Sequence, residues 1–186
     1  LFCIYFGNMA PPTVLVLGHS FVRRLKSDLL FQLDSCMSSS FKLDGTTHVY
    51  MHGIGGRTVT KLRKYDFGVA ARLSPYIVIL EIGTNDLSFL PPEVVGSEID
   101  EVVSQLQQVY RVKVVGVCLI TPWHRNHVFN AKRLILNNYL TAVLEHMPKV
   151  FPWLHRGFAR PSITAFLRDG VHFNKMGRYN LYRSYR

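Results

Sequence analysis

The chain has 186 residues, is 48% hydrophobic and 18% charged, and has a mean hydropathy of +0.10, which excludes a disordered or fibrous chain and fits one compact domain with its own core. Three cysteines, Cys3, Cys36 and Cys118, are odd in number and widely spaced, which excludes a CxxC zinc motif and favours a reducing compartment, and no apolar run reaches the ~18 to 20 residues of a membrane helix. The 22 Lys+Arg against 12 Asp+Glu give +10, a balance that raises nucleic acid or another anionic surface as partner.

Residues 1 to 12 read as a peripheral N-terminal extension. Leu1 to Phe6 is apolar but short and lacks a basic flank, so it is a poor signal peptide and an intracellular, cytoplasmic location is expected. Met9 opens Met-Ala-Pro-Pro just before the first strand, so residues 1 to 8 are expected to be dispensable for folding. Residues 13 to 186 form the domain.

Thr13 to Leu17 (TVLVL) is a continuous aliphatic run, the pattern of a strand buried on both faces of a parallel sheet. Phe21, Val22, Leu25, Leu29 and Leu33 then recur at helical spacing. His48 to Met51 is a shorter strand leading into Gly53-Ile54-Gly55-Gly56, and Tyr76 to Ile82 (YIVILEI) is a second fully buried strand ending at Gly83-Thr84-Asn85-Asp86. After Pro91-Pro92 a helix places Val95, Ile99, Val102, Leu106 and Val109 on one face, with acidic residues in its first turns where they favour the helix dipole. Val112 to Cys118 is a third buried strand, a helix follows from about Asn130 to Met147, a weaker strand lies near Val150 to Leu154, and a basic helix begins near Lys175. Strands alternating with helices of this length predict an α/β fold with a parallel sheet of about five strands.

In such sheets chemistry gathers at the carboxyl ends of the strands. There stand Gly18-His19-Ser20, Gly53-Ile54-Gly55-Gly56, Gly83-Thr84-Asn85-Asp86 and, late in the chain, Asp169-Gly170-Val171-His172. A serine hydroxyl becomes a nucleophile when a base takes its proton, and His172 is the candidate base. Asp169, three residues earlier, can accept the imidazole N–H and fix its tautomer. A tetrahedral intermediate needs donors for its oxyanion: the N–H of Ser20, the N–H of Gly56 and the Asn85 amide.

The four blocks GHS, GIGGRT, GTND and DGVH, in that order, resemble the SGNH (GDSL-type) hydrolases across residues 18 to 172. The resemblance implies a flavodoxin-like three-layer α/β/α sandwich and esterase activity without metal or organic cofactor. It also implies Ser20 as nucleophile, Gly56 and Asn85 as oxyanion donors, and Asp169 with His172 completing the triad. The family's Gly-Asp-Ser reads Gly-His-Ser here, so His19 stands where a carboxylate is usual; it is either a second proton-carrying group or a structural or solvent-facing residue. The GxSxG elbow of α/β-hydrolases is absent.

Each element has a plainer reading: Ser20 as a helix N-cap, Asn85-Asp86 and Asp169-Gly170 as turns. Their conjunction carries the inference. His124 and His127 lack the acidic or thiol ligands of a metal site and read as loop histidines. Arg57 either contacts an anionic substrate or faces solvent. Glu81 is expected near its strand end with a partner. Phe89, Trp123 and Phe173 are candidates either for an acyl-pocket wall or for the core.

Of the net charge, +7 lies in residues 149 to 186, where eight basic residues meet one acid, Asp169. The stretch from Trp153 to Arg186, including His155-Arg156-Gly157-Phe158 and Asn180 to Arg186, resembles SGNH-like domains carried by mobile elements such as retrotransposons, which would set the domain beside nucleic acid. The sequence thus supports a serine esterase or deacylase acting on a small ester. The rival reading is a weak or inactive scaffold that binds nucleic acid through its basic C-terminal region, or binds protein.

Overall fold

The computed structural model describes residues 11–31, 37–43, 46–158 and 163–186. The expectations for residues 1 to 10, Leu33, Cys3 and Cys36 lie outside the described residues. The elements run β1 (Thr13–Gly18), α1 (Ser20–Leu30), β2 (His48–Gly53), α2 (Val59–Tyr65), α3 (Phe67–Leu73), β3 (Ile77–Glu81), α4 (Pro92–Gln108), β4 (Val114–Cys118), α5 (His127–Leu144), β5 (Val150–Trp153) and α6 (Lys175–Ser184).

The five strands pair in parallel in the order β2-β1-β3-β4-β5. That is the flavodoxin-like order, and it reverses direction between β1 and β3, where the crossovers part and leave a crevice beyond the strand ends. Alternate side chains feed two apolar layers. Leu15, Leu17, Val78, Leu80, Val115 and Val117 pack with α2 to α5, whereas Val16, Ile79 and Cys118 pack with α1 and α6. The fold is therefore a three-layer α/β/α sandwich. No helix among the described residues is long and apolar enough to cross a membrane.

Three departures from the sequence reading have local causes. Residues 57 to 75, for which no element is predicted, fold as the short helices α2 and α3, broken at Asp66. Thr58 caps the first by accepting from the Lys61 N–H. Val109, expected on the buried face of α4, is the residue after its last turn and is 66% exposed. The fifth helix starts at His127 and not near Asn130, because Asn126 caps it by accepting from the Phe129 N–H at 2.9 Å; His127 is thus helical and exposed.

Candidate active site

β1 delivers Ser20 to the crevice through a turn that only glycine fits. A Cβ on Gly18 would sit 2.2 Å from the Glu81 carbonyl of the neighbouring strand. His19 is the N-cap of α1, its Nδ1 accepting from the Phe21 N–H at 3.3 Å, and its own N–H donates to the Glu81 carbonyl. Ser20 is the first helical residue and 9% exposed, and its hydroxyl has no hydrogen-bond partner among the described residues. Its N–H belongs to the first turn, which has no intrahelical acceptor.

The second and third blocks meet there. Gly56 is exposed with φ +69°, left-handed backbone that suits glycine in a tight turn. The Asn85 amide donates to the Arg57 carbonyl at 2.8 Å, and Asp86 Oδ1 accepts from the Val59 N–H at 3.0 Å. The turn after β3 thereby holds the turn after β2 from both sides. Neither the Ser20 nor the Gly56 N–H bonds to another main-chain group among the described residues, so both are open to a ligand oxygen. Asp86 is 1% exposed and its Oδ2 has no partner among the described residues; burial raises its carboxyl to about 6.

Asp169 and His172 form a closed unit. Asp169 Oδ2 lies 2.8 Å from His172 Nδ1, while Oδ1 accepts from the N–H groups of Val171 and His172, each at 2.9 Å. Burial alone would raise this carboxyl, but the hydrogen bonds from the imidazole and the two N–H groups together outweigh it and hold it down to about 2. The imidazole is oriented by a carboxylate that stays ionised.

Apolar contacts bring this unit to the serine. Phe173 packs against Phe21 with ring centroids 4.3 Å apart and planes tilted by 31°, so the residues following the candidate base and candidate nucleophile pack together. The His124 N–H donates to the Gly170 carbonyl at 2.7 Å, tying the loop after β4 to the DGVH turn. Ser20 and His172 are not hydrogen-bonded to each other among the described residues; the His172 Nδ1 contact is with Asp169.

Beneath Ser20 lies a buried polar cluster. Glu81, at the end of β3, accepts from Tyr185 Oη at 2.8 Å and lies 2.6 Å from His155 Nε2, whose Nδ1 contacts Ser184 Oγ at 2.7 Å. Burial by itself would raise the Glu81 carboxyl, but His155 and Tyr185 hold it down to about 2. His19 is 1% exposed, with Nε2 facing Glu81 Oε1 at 3.8 Å. Burial lowers its pKa to about 4 against the pull of Glu81, so the imidazole is neutral at pH 7. His19 is therefore buried and not solvent-facing. Glu81, Cys118 and His155 also offer ligand atoms within 4.8 Å of one another, the arrangement among the described residues best able to hold a metal. Their carboxylate is already engaged by His155 and Tyr185.

Arg57 is 15% exposed and paired with an acid: its Nη2 donates to Asp66 Oδ1 at 2.8 Å. Of the aromatic candidates, Phe173 is core, Trp123 stacks on Phe129 at 3.9 Å, and Phe89 is 65% exposed. The residues missed by sequence reasoning are Asp66, which pairs with Arg57 across nine residues of an unpredicted turn, and His155 and Tyr185, whose partner Glu81 lies far along the chain.

The family model described as GDSL-like lipase/acylhydrolase matches residues 18–178. No curated protein matches the sequence. Among solved structures, a GDSL-like lipase from Bacteroides thetaiotaomicron superposes with TM-score 0.72 at 16% identity, covering 94% of this chain and 85% of that one. A carbohydrate esterase family 3 protein from Talaromyces cellulolyticus gives 0.70 at 15%, covering 94% of both chains. A catalytic mutant of Axe2, an acetylxylan esterase from Geobacillus stearothermophilus, gives 0.69 at 14%, covering 96% and 94%. At such identities the structures share the fold, while the family model spans all four blocks of the site: the chain belongs to the GDSL-like lipase/acylhydrolase family.

Proposed function

We propose that the protein is a serine esterase that hydrolyses small carboxylic esters through an acyl-enzyme on Ser20. The observation that carries this is the Asp169–His172 unit, closed at 2.8 Å and packed through Phe173 and Phe21 against the start of α1. His172 takes the Ser20 proton as Oγ bonds to the carbonyl carbon, and the carbonyl electron pair moves onto oxygen. That oxyanion is received by the Ser20 and Gly56 N–H groups and the Asn85 amide. His172 returns its proton to the departing alkoxide as the C–O bond breaks. Water, deprotonated by His172, then attacks the acyl carbon and releases acid and Ser20. Asp169 keeps the imidazole tautomer fixed and stabilises the imidazolium. Several structural neighbours bear the names of esterases, which supports an ester as substrate.

The test is hydrolysis of a short activated ester, with fluorophosphonate labelling, by the wild type and by Ser20→Ala. Serine-dependent labelling and turnover are expected; turnover that survives Ser20→Ala, or no turnover with no labelling, refutes the proposal.

A further inference from the structure

Beside the candidate site runs an open groove of about 280 Å³ lined by Arg23, Arg24, Ser27, Asp28 and Arg178. Its arginines differ in their partners. Arg178 pairs through Nε with Asp28 Oδ2 and donates from Nη1 to the Phe173 carbonyl at 2.9 Å. Arg23 and Arg24 have no acidic partner among the described residues, and Arg24 Nε is buried without a hydrogen bond. Two guanidinium groups thus stand uncompensated in one groove. On the far side of the oxyanion turn, Arg57 is neutralised by Asp66.

Arg23 joins this groove to the crevice. It lies one helical turn after Ser20, a spacing that puts both on one face with Cβ atoms about 5–6 Å apart. Its guanidinium also lies along the oxyanion turn: a Cβ on Gly55 would sit 3.4 Å from Arg23 Nε. A carbonyl at Ser20 therefore has unpaired cationic donors within a few bonds on the α1 side. Guanidinium groups present planar forks that match the oxygens of phosphate and carboxylate.

Building on the esterase reading, we propose that the Arg23–Arg24 groove is a binding site for an anionic group, phosphate or carboxylate, carried by the ester that Ser20 cleaves. The anion sits between the two guanidinium groups and orients the scissile carbonyl toward the oxyanion turn. Specificity is then set on the alcohol side of the ester, by charge.

The test compares 1-acetylglycerol with 1-acetylglycerol 3-phosphate, two soluble esters that differ by one phosphate. Wild type is expected to favour the phosphorylated ester about tenfold in kcat/KM, the scale of one partly exposed charge-assisted contact. The ratio falls toward one in Arg23→Gln and Arg24→Gln, shrinks in about 0.5 M salt, and is unchanged in Lys26→Gln, which alters an exposed charge on α1 outside the groove. Equal rates in wild type, or a preference that survives both arginine substitutions, overturns the anion site and leaves the esterase reading standing. If neither ester is turned over, the esterase reading fails, and titration with inorganic phosphate decides the groove: binding weakened in Arg23→Gln upholds an anion site, and binding equal in the variant or absent removes it. Vesicles of anionic phospholipid assayed beside the soluble ester show whether the phosphate is met in a lipid headgroup or free in solution. Tighter binding of a short single-stranded oligonucleotide, lost in the same variants and without effect on turnover, overturns the assignment of a substrate anion.

Discussion

Replacing Asp86 by Asn separates the cost of a buried charge from the hydrogen bond that makes it useful. Asp86 Oδ1 accepts from the Val59 N–H at 3.0 Å, and the Asn carbonyl keeps that acceptor; the partnerless Oδ2 becomes an amide. Burial raises the Asp86 carboxyl from 3.8 to about 6. Because the folded pKa exceeds the unfolded one, the native state binds more protons between these values. Wild-type stability from this group is therefore full below the unfolded pKa and is lost as pH rises through the folded one. At about 1.4 kcal/mol per unit the ceiling is about 3 kcal/mol, of which about 2 kcal/mol falls between pH of about 4.5 and 7.5. Urea denaturation of both proteins at those pH values gives the unfolding free energies. The difference at low pH measures the exchange of oxygen for amide, and its change with pH measures the ionisation alone. The variant should gain about 2 kcal/mol on the wild type across that interval. A difference that stays flat, or that moves toward the wild type, refutes a buried ionised carboxylate at this turn.

Two further outcomes follow from the same geometry. Restoring the family's acid by His19→Asp should lower stability at neutral pH by roughly 2–4 kcal/mol, because a second carboxylate would then face Glu81 in the buried cluster. The loss should shrink as pH falls and the new acid is protonated, and a thermal melt at pH 7 equal to wild type contradicts the account. Asn85→Ala should lower kcat about 10²–10³-fold with a small change in KM, since the amide acts on the developing oxyanion; an effect confined to KM contradicts that role.

The strands were legible because burial on both faces leaves an unbroken aliphatic signature: TVLVL, YIVIL and VVGVC hold their places in the sheet within a residue or two. The helices α2 and α3 were not, since seven residues each are too few to establish a period and Asp66 interrupts them. Within the site, Asp169 and His172 were legible because their contact is three residues long and closes on its own backbone. Glu81 was expected at its strand end with a partner, but the partners, His155 and Tyr185, were not legible, because those contacts span 74 and 104 residues. Only the fold brings the ends of β3, β5 and α6 together. For the same reason the sequence suggested Arg57, next to the oxyanion turn in the chain, where the fold sets Arg23 beside it in space.

The position of the acids alters the meaning of the net charge. Asp28, Asp66, Glu81 and Asp86 are buried; Asp28 and Glu81 are held by basic partners from a distant part of the chain, and Asp66 by Arg57, nine residues before it. Asp169 is committed to His172. Among these, Asp66 and Asp28 cancel Arg57 and Arg178 on the two flanks of the crevice, and the cation left uncompensated next to the oxyanion turn is on α1. A formal +10 spread over a surface would steer any polyanion without discrimination. Here the internal pairing occupies Arg57 and Arg178 and leaves Arg23 and Arg24, one helical turn from Ser20, without an acidic partner among the described residues. That geometry recognises an anionic group on a small ester, where a charge distributed along the C-terminal helix would recognise a long phosphate backbone.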